Sequence, residues 1–325
     1  MSVPPLAVFD RIISDRGSVY AVSGGGGAGA ASFGRVGRSI QTDAPGETAS
    51  VTVTVDALSG VWMPTVGYLT TLGFTGDDAN TQNANLHYNG ATGTAIDIAG
   101  VHPGDTYAFT AKVAAPPSEQ QLAEATVANV TTPRPDRVPD ALGTVLASAV
   151  GDAKTPVEQI RAVETYFSKN GFFSNGLAGQ AVSRAGHSLS RENDLLSAKQ
   201  MIGDDEQYAV VMALALSQLG IPSRVVMGFV PSASTAASGP VSITGADVHA
   251  WVEVPFNDLG WVSFSPTPPK EVSPRIQAMT VVTAAITARS RSRVGPIVGS
   301  GAPSPPVPDP FGVVTADHPL PSRPA

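Results

Sequence analysis

The sequence predicts an α+β protein: an all-β, sandwich-like part stands ahead of a part in which helices precede an antiparallel sheet. Three observations carry that reading. Apolar and polar residues alternate through the first third of the chain, the spacing turns helical after about residue 150, and prolines crowd the join between the two patterns.

In chain order, SVYAV (18–22), ASVTVTVDAL (49–58), GVWMPTVGYLTTLGF (60–74), TAIDIAG (94–100) and DTYAFTAKVAA (105–115) are rich in β-branched and aromatic residues and separated by Gly, Pro, Asn and Asp turns. They define a β-rich domain over residues 1–135. The stretch TTPRPDRVPD (131–140) then places three prolines in ten residues, a stiff and extended connector, and a second domain is expected over 141–275. Thr155, Pro156 and Glu158 form a capping-box start with proline at the first helical position. Val157, Ile160, Val163 and Phe167 follow at helical spacing until Gly171 stops the run.

A second helix carries Tyr208, Val211, Met212, Ala215, Leu216 and Leu219 on one face, with Gly220 and Pro222 as its stop. Strands are then expected at Arg224 to Val230, Val248 to Val254 and Gly260 to Ser265. If the last two form a hairpin turning near Asn257, His249 falls opposite Ser265. Residues 276–325, with nine prolines after position 295 and little periodicity, are expected to be a disordered tail.

Composition narrows the function classes. The 325 residues are 42% hydrophobic and only 14% charged, with 20 basic against 27 acidic side chains, a net charge of −7. That balance argues against nucleic acid or an anionic membrane surface as the main partner. No cysteine is present, which excludes disulfides, thiolate metal sites and a cysteine nucleophile. No apolar run reaches the roughly 18 residues needed to span a bilayer, and the first residues lack the order of a signal peptide. Gly24, Gly26 and Gly29 satisfy a dinucleotide-type glycine spacing, but Gly34 and Gly37 interrupt the helix such a site requires, so a flexible loop is expected and no cofactor.

The densest chemical signal is GDDEQYAVVMALALSQLGIPSRVVMGF (203–229) followed by DVHAWVEVPFNDLGWVSFSPTP (247–268). It resembles the transglutaminase-like (papain-like) superfamily, in particular its bacterial membrane-anchored branch, whose motif reads G-D-C-E-Q-Y/F-A, then a helix ending L-G-I-P-A-R, then H-A-W-V-E-V and G-W-V-x-F-D-P-T-P. GVWMPTVGYLTTLGFTGDDA, followed by LHYNGATGTAIDIAG and PGDTYAFTAKV, is similar to the extracytoplasmic β region of actinobacterial relatives. The resemblance implies a thiol at the helix start, a histidine that manages its proton and a carboxylate that orients the imidazole. Those positions are Asp205, His249 and Ser265 here, so the triad is degenerate and only the histidine remains.

A carboxylate held at a helix N-terminus is a weak nucleophile toward an amide, and if Asp205 faces His249 the pair occupies the imidazole and removes it as a base. The expectation is a catalytically inactive module on the extracytoplasmic side of a cell membrane. It would bind a peptide, a cell-wall-related ligand or a membrane-complex protein, with Trp251, Trp261, Glu206 and Asp204 as candidate binding residues. Two other readings stay open: a hydrolase with a rewritten Asp/Glu–His site, and a structural spacer of a membrane complex. Asp204, Asp205, Glu206 and His249 could together offer metal ligands, but adjacent residues at a helix start point different ways, and no metal is expected. His187 is expected to order its loop through a hydrogen bond.

Overall fold

The computed structural model describes residues 9–11 (backbone only), 33–132, 135–231 and 240–270. The SVYAV stretch, the glycine spacing at 24–29 and the tail after 275 lie outside the described residues. The elements in chain order are β1 (Phe9–Arg11), β2 (Gly34–Arg35), β3 (Glu47–Thr54), β4 (Gly60–Met63), β5 (Tyr68–Thr75), α1 (Ala79–Asn83), β6 (Leu86–Asn89), β7 (Thr94–Val101) and β8 (Thr106–Val113). They continue with α2 (Glu119–Glu124), α3 (Leu142–Val150), α4 (Pro156–Asn170), β9 (Gly171–Phe173), α5 (Leu189–Ser197), β10 (Met201–Gly203), α6 (Asp205–Gln218), β11 (Arg224–Phe229), β12 (Val248–Phe256) and β13 (Gly260–Phe264).

The N-terminal part is antiparallel throughout: one sheet has the order β2-β6-β7-β4 and the other β3-β8-β5. Met63, Leu69, Leu72, Phe74, Leu86, Tyr88, Tyr107 and Phe109 from both sheets form one buried core. The polar ends of its tyrosines are satisfied locally. Tyr88 Oη accepts the Leu69 N–H at 3.1 Å and Tyr107 Oη donates to the Pro64 carbonyl at 2.7 Å. The long stretch 60–74 splits into β4 and β5 because Pro64 cannot donate to a ladder and Gly67 turns at φ +62, where a Cβ would lie 2.2 Å from the Lys112 carbonyl oxygen.

The second core is α+β. It gathers Leu142 from α3, Ile160, Val163 and Phe167 from α4, Leu195 and Leu196 from α5, nearly all of α6, and Ala250, Val252, Val254, Phe256, Val262 and Phe264 from the sheet β1-β11-β12-β13. It also draws in Leu122, Ala125 and Val127 from ahead of the proline-rich connector, and Val127 bridges Phe256. Both cores lie in one compact unit.

α4 starts with the expected capping box on Thr155 and Glu158 and ends at Gly171. Gly171 has φ −88, so its conformation does not need glycine; close approach does, since a Cβ there would sit 2.4 Å from Tyr208 Oη. α6 is expected to bury one face, yet Gln207 to Leu216 are buried on every side, because the helix is packed between α4, α5 and the sheet.

The hairpin register differs from the sequence expectation. Phe256 pairs with Gly260, Glu253 with Ser263 and Val252 with Phe264, so Ser265 falls beyond the ladder and in line with Trp251 rather than His249. The cause is the turn. Asn257, Asp258 and Leu259 form a three-residue loop with Asp258 in the left-handed region at φ 64, which moves the centre one residue past Asn257.

The outer face of this sheet carries a buried ion pair. Arg224 Nε and a terminal guanidinium nitrogen donate to Glu253 Oε2 at 2.9 and 2.7 Å, and the two residues are only 4% and 7% exposed. The guanidinium lies 4.1 Å over the Trp261 ring and donates to the Ala91 carbonyl at 3.4 Å, tying the β6–β7 turn to the second sheet. Removing one member of such a pair leaves a buried charge alone. We therefore expect Arg224→Met to cost about 3 kcal/mol in urea unfolding and Arg224→Met/Glu253→Gln to recover part of that loss. A double variant as unstable as the sum of the singles would contradict this.

Candidate functional site

The start of α6 is assembled from buried polar contacts. Asp204 is the N-cap: its Oδ1 accepts the N–H groups of Glu206 at 2.9 Å and Gln207 at 3.4 Å, while Gln207 Oε1 accepts the Asp204 N–H at 2.9 Å. Gln207 is fully buried, and its Nε2 donates to the Gly186 carbonyl at 2.9 Å. Arg191 of α5 donates to the carbonyls of Arg184 and Ile202 and to Ser183 Oγ, fastening the 183–187 loop and β10 to the same place. Tyr208 Oη, one turn into α6, donates to the Met201 carbonyl at 2.6 Å and accepts the Phe172 N–H at 3.0 Å, fixing the helix against the parallel pair β9–β10.

On this base three successive carboxylates go three ways. Asp204 caps the backbone. Asp205 Oδ2 lies 2.8 Å from His249 Nδ1, across to the start of β12, with the side chains 15% and 25% exposed. Glu206 turns to the loop: Oε1 is 2.6 Å from Nδ1 of the buried His187, and Oε2 accepts the Gly186 N–H at 3.1 Å. His187 thus orders its loop through Glu206. Because the acids diverge, they do not converge on a point where an ion could sit, and among the described residues no group of three or more His, Cys, Asp or Glu is arranged to hold a metal.

Hydrogen bonding of Nδ1 to a carboxylate makes that nitrogen the donor, so it has no lone pair for a nucleophile's proton. The arrangement orients an imidazole; it lacks the polarised thiol of an acyl-transfer site. Ser265 does not join it. Ser265 is exposed, and its backbone N–H donates to Glu164 Oε1 of α4 at 2.8 Å. The two tryptophans are engaged in packing. Trp251 is 5% exposed with Nε1 donating to Glu253 Oε1 at 3.2 Å, and one face of Trp261 is covered by Arg224. The burial of Trp251 and of the ion pair beside it follows from β12 being covered on both sides, which the alternation in VHAWVEV does not reveal.

Glu192 lies outside the sequence motifs. It is 1% exposed, both carboxylate oxygens lack a hydrogen-bond partner among the described residues, and burial, reinforced by Glu206 and Asp204 and opposed by Arg191, holds its pKa well above the carboxylate range. Its position on the buried side of the short helix α5 is the only sequence signal that could have found it. Burial, then the neighbouring Glu206, likewise pushes Asp204 up to about 6, against the pull of the two N–H groups it caps.

The model of the transglutaminase-like superfamily matches residues 144–266. These residues form a transglutaminase-like domain. The match spans α3 to the end of β13 and therefore contains the α6 start, His249 and Ser265. The chain is 28% identical over 137 residues to the uncharacterized protein YebA of Bacillus subtilis, covering 41% of this chain and 18% of that protein. It is 40% identical over 60 residues to a protein-glutamine gamma-glutamyltransferase of Pseudomonas aeruginosa, covering 18% of this chain and 9% of that protein. The aligned segments are thus less than a fifth of either relative. Among solved structures, the periplasmic domain of TgpA from Pseudomonas aeruginosa, bound to ethylmercury, aligns with a TM-score of 0.49 at 15% identity over 82% of this chain and 83% of that one. No helix among the described residues is long and apolar enough to cross a membrane.

Two expectations follow for the transglutaminase-like domain. Burial raises the Glu192 pKa and its carboxylate has no hydrogen-bond partner among the described residues, so Glu192→Gln, which removes the charge and keeps the shape, should change stability by no more than about 1 kcal/mol in urea unfolding; a loss above about 2 kcal/mol would show that the carboxylate is paired. Asp204 holds in the folded state a proton that the unfolded chain releases at lower pH. Its favourable contribution is therefore fully present below the usual carboxylate range and is lost as pH rises to about 6. Asp204→Asn keeps a capping oxygen and should flatten the fall in unfolding midpoint between about pH 4 and 7. An unchanged slope would contradict the assignment.

Proposed function

We propose that this chain is a non-catalytic binding module on a transglutaminase-like scaffold, taking a peptide, a cell-wall-related ligand or a partner protein. It would act on the outer face of a cell membrane. The observation that carries the reading is the contact of Asp205 with His249 at 2.8 Å, a carboxylate at the helix start where the resemblance calls for a thiol. The absence of any cysteine in the chain and the exposed Ser265 at the acid position support it. The resemblance of the motifs to membrane-anchored relatives supports the location. A rewritten acid–base site loses one of its two candidate acids, because Glu206 is committed to His187 and Gly186.

The test joins turnover with rescue. The purified chain should show no amidase, protease or cross-linking activity on peptide substrates, whereas Asp205→Cys should react with an electrophilic thiol label faster than a free thiol. Adding His249→Ala should slow that labelling by about ten-fold, because the imidazole would support the thiolate at a helix start. Turnover by the unmodified chain that disappears on His249→Ala would overturn the reading.

A further inference from the structure

β3 forms one edge of the three-stranded sheet β3-β8-β5, and its eight residues pair with β8 in unbroken register from Glu47↔Val113 to Thr54↔Thr106. On its other side every second residue turns its N–H and C=O groups outward, and among the described residues no strand pairs there.

Such an edge is a template for another strand, and proteins usually blunt it with proline, lysine, a bulge or a covering segment. The other edges here are blunted or short. β5 has a register shift between Leu69 and Thr71 and is covered by residues 38–40, with the Ile40 N–H on the Thr70 carbonyl and the Leu72 N–H on the Arg38 carbonyl. β4 has four residues and a register shift, and β2 has two residues. β3 has none of these devices: ETASVTVT contains no proline, no lysine and no bulge, and its one charge is Glu47 at the end.

The side chains suit a partner identical to the strand itself. Thr48, Ser50, Thr52 and Thr54 are exposed on one face, and Ala49, Val51 and Val53 are half-buried on the face toward the β core. That polarity pattern reads alike in both directions. An antiparallel copy centred on Val51 sets Ser50 opposite Thr52, Thr48 opposite Thr54 and Ala49 opposite Val53, so hydroxyls meet hydroxyls and apolar groups meet apolar groups. Glu47 then lies opposite Val55 rather than opposite a like charge. Val51 and Val53, which the core covers on one side only, would be covered from the open side as well.

We infer that the β3 edge pairs with β3 of a second copy of this chain, joining two three-stranded sheets into one six-stranded antiparallel sheet about a two-fold axis. The surface is independent of Asp205 and His249, so its failure would leave the proposed binding role untouched.

The full chain should show a concentration-dependent monomer–dimer equilibrium in sedimentation velocity. Ser50→Lys/Thr52→Lys, which puts like charges across the axis on exposed positions, should weaken dimerisation by about ten-fold or more, with unchanged circular dichroism and, at concentrations where the parent chain is monomeric, an unchanged thermal midpoint. Ser50→Glu/Thr52→Glu should do the same, and mixing the lysine and glutamate variants should restore dimers that neither forms alone. A chain that stays monomeric into the hundreds of micromolar, or dimers indifferent to all these substitutions, would overturn the inference.

Discussion

The contact between Asp205 Oδ2 and His249 Nδ1 sets what the start of α6 can do. A helix N-terminus favours negative charge, and a thiol placed there is ionised into a nucleophile. A carboxylate placed there meets the same positive end of the helix, and charge stabilised in this way makes it a poorer nucleophile. By accepting a hydrogen bond from the imidazole it also commits the one nitrogen that faces it. The scaffold therefore holds a histidine firmly oriented at a half-exposed position and gives it no nucleophile to serve, which is the physical basis for proposing recognition rather than turnover.

That contact depends on polar groups buried around it. Asp204 and Gln207 close the helix end, Gln207 and Arg191 secure the 183–187 loop, and Glu206 takes His187. Each carboxylate of the Asp204–Glu206 run has a partner that points it away from its neighbours. Burial of Glu192 on α5, with no hydrogen-bond partner among the described residues, disfavours a further negative charge beside this run. On the far side of the sheet the Arg224–Glu253 pair does a different job. It links the β6–β7 turn to β11 and β12 and closes the face on which both tryptophans lie.

Much of this was legible in the sequence, and the misses have local causes. Thr155, Pro156 and Glu158 announce α4 because a capping box is a short-range device, and the i, i+3, i+4 spacing through Leu219 announces α6. The motif order brought Asp205 and His249 into one place. The pairing of His249 with Ser265 failed because Asp258 adopts a left-handed conformation and lengthens the turn, which pattern counting cannot see. The sequence does not reveal that Arg224 and Glu253, distant in the chain, meet beside Trp251 and Trp261. Glu192 stands in the polar run SREND, where no apolar spacing signals its 1% exposure.

The most direct test of the central claim is the tautomer and hydrogen bonding of His249, read from imidazole nitrogen shifts by NMR on the full chain. The expected result is a proton on Nδ1 held in a hydrogen bond that is lost in Asp205→Ala, with Nε2 able to accept from a ligand. A proton resident on Nε2 instead, or nitrogen shifts indifferent to Asp205→Ala, would contradict it.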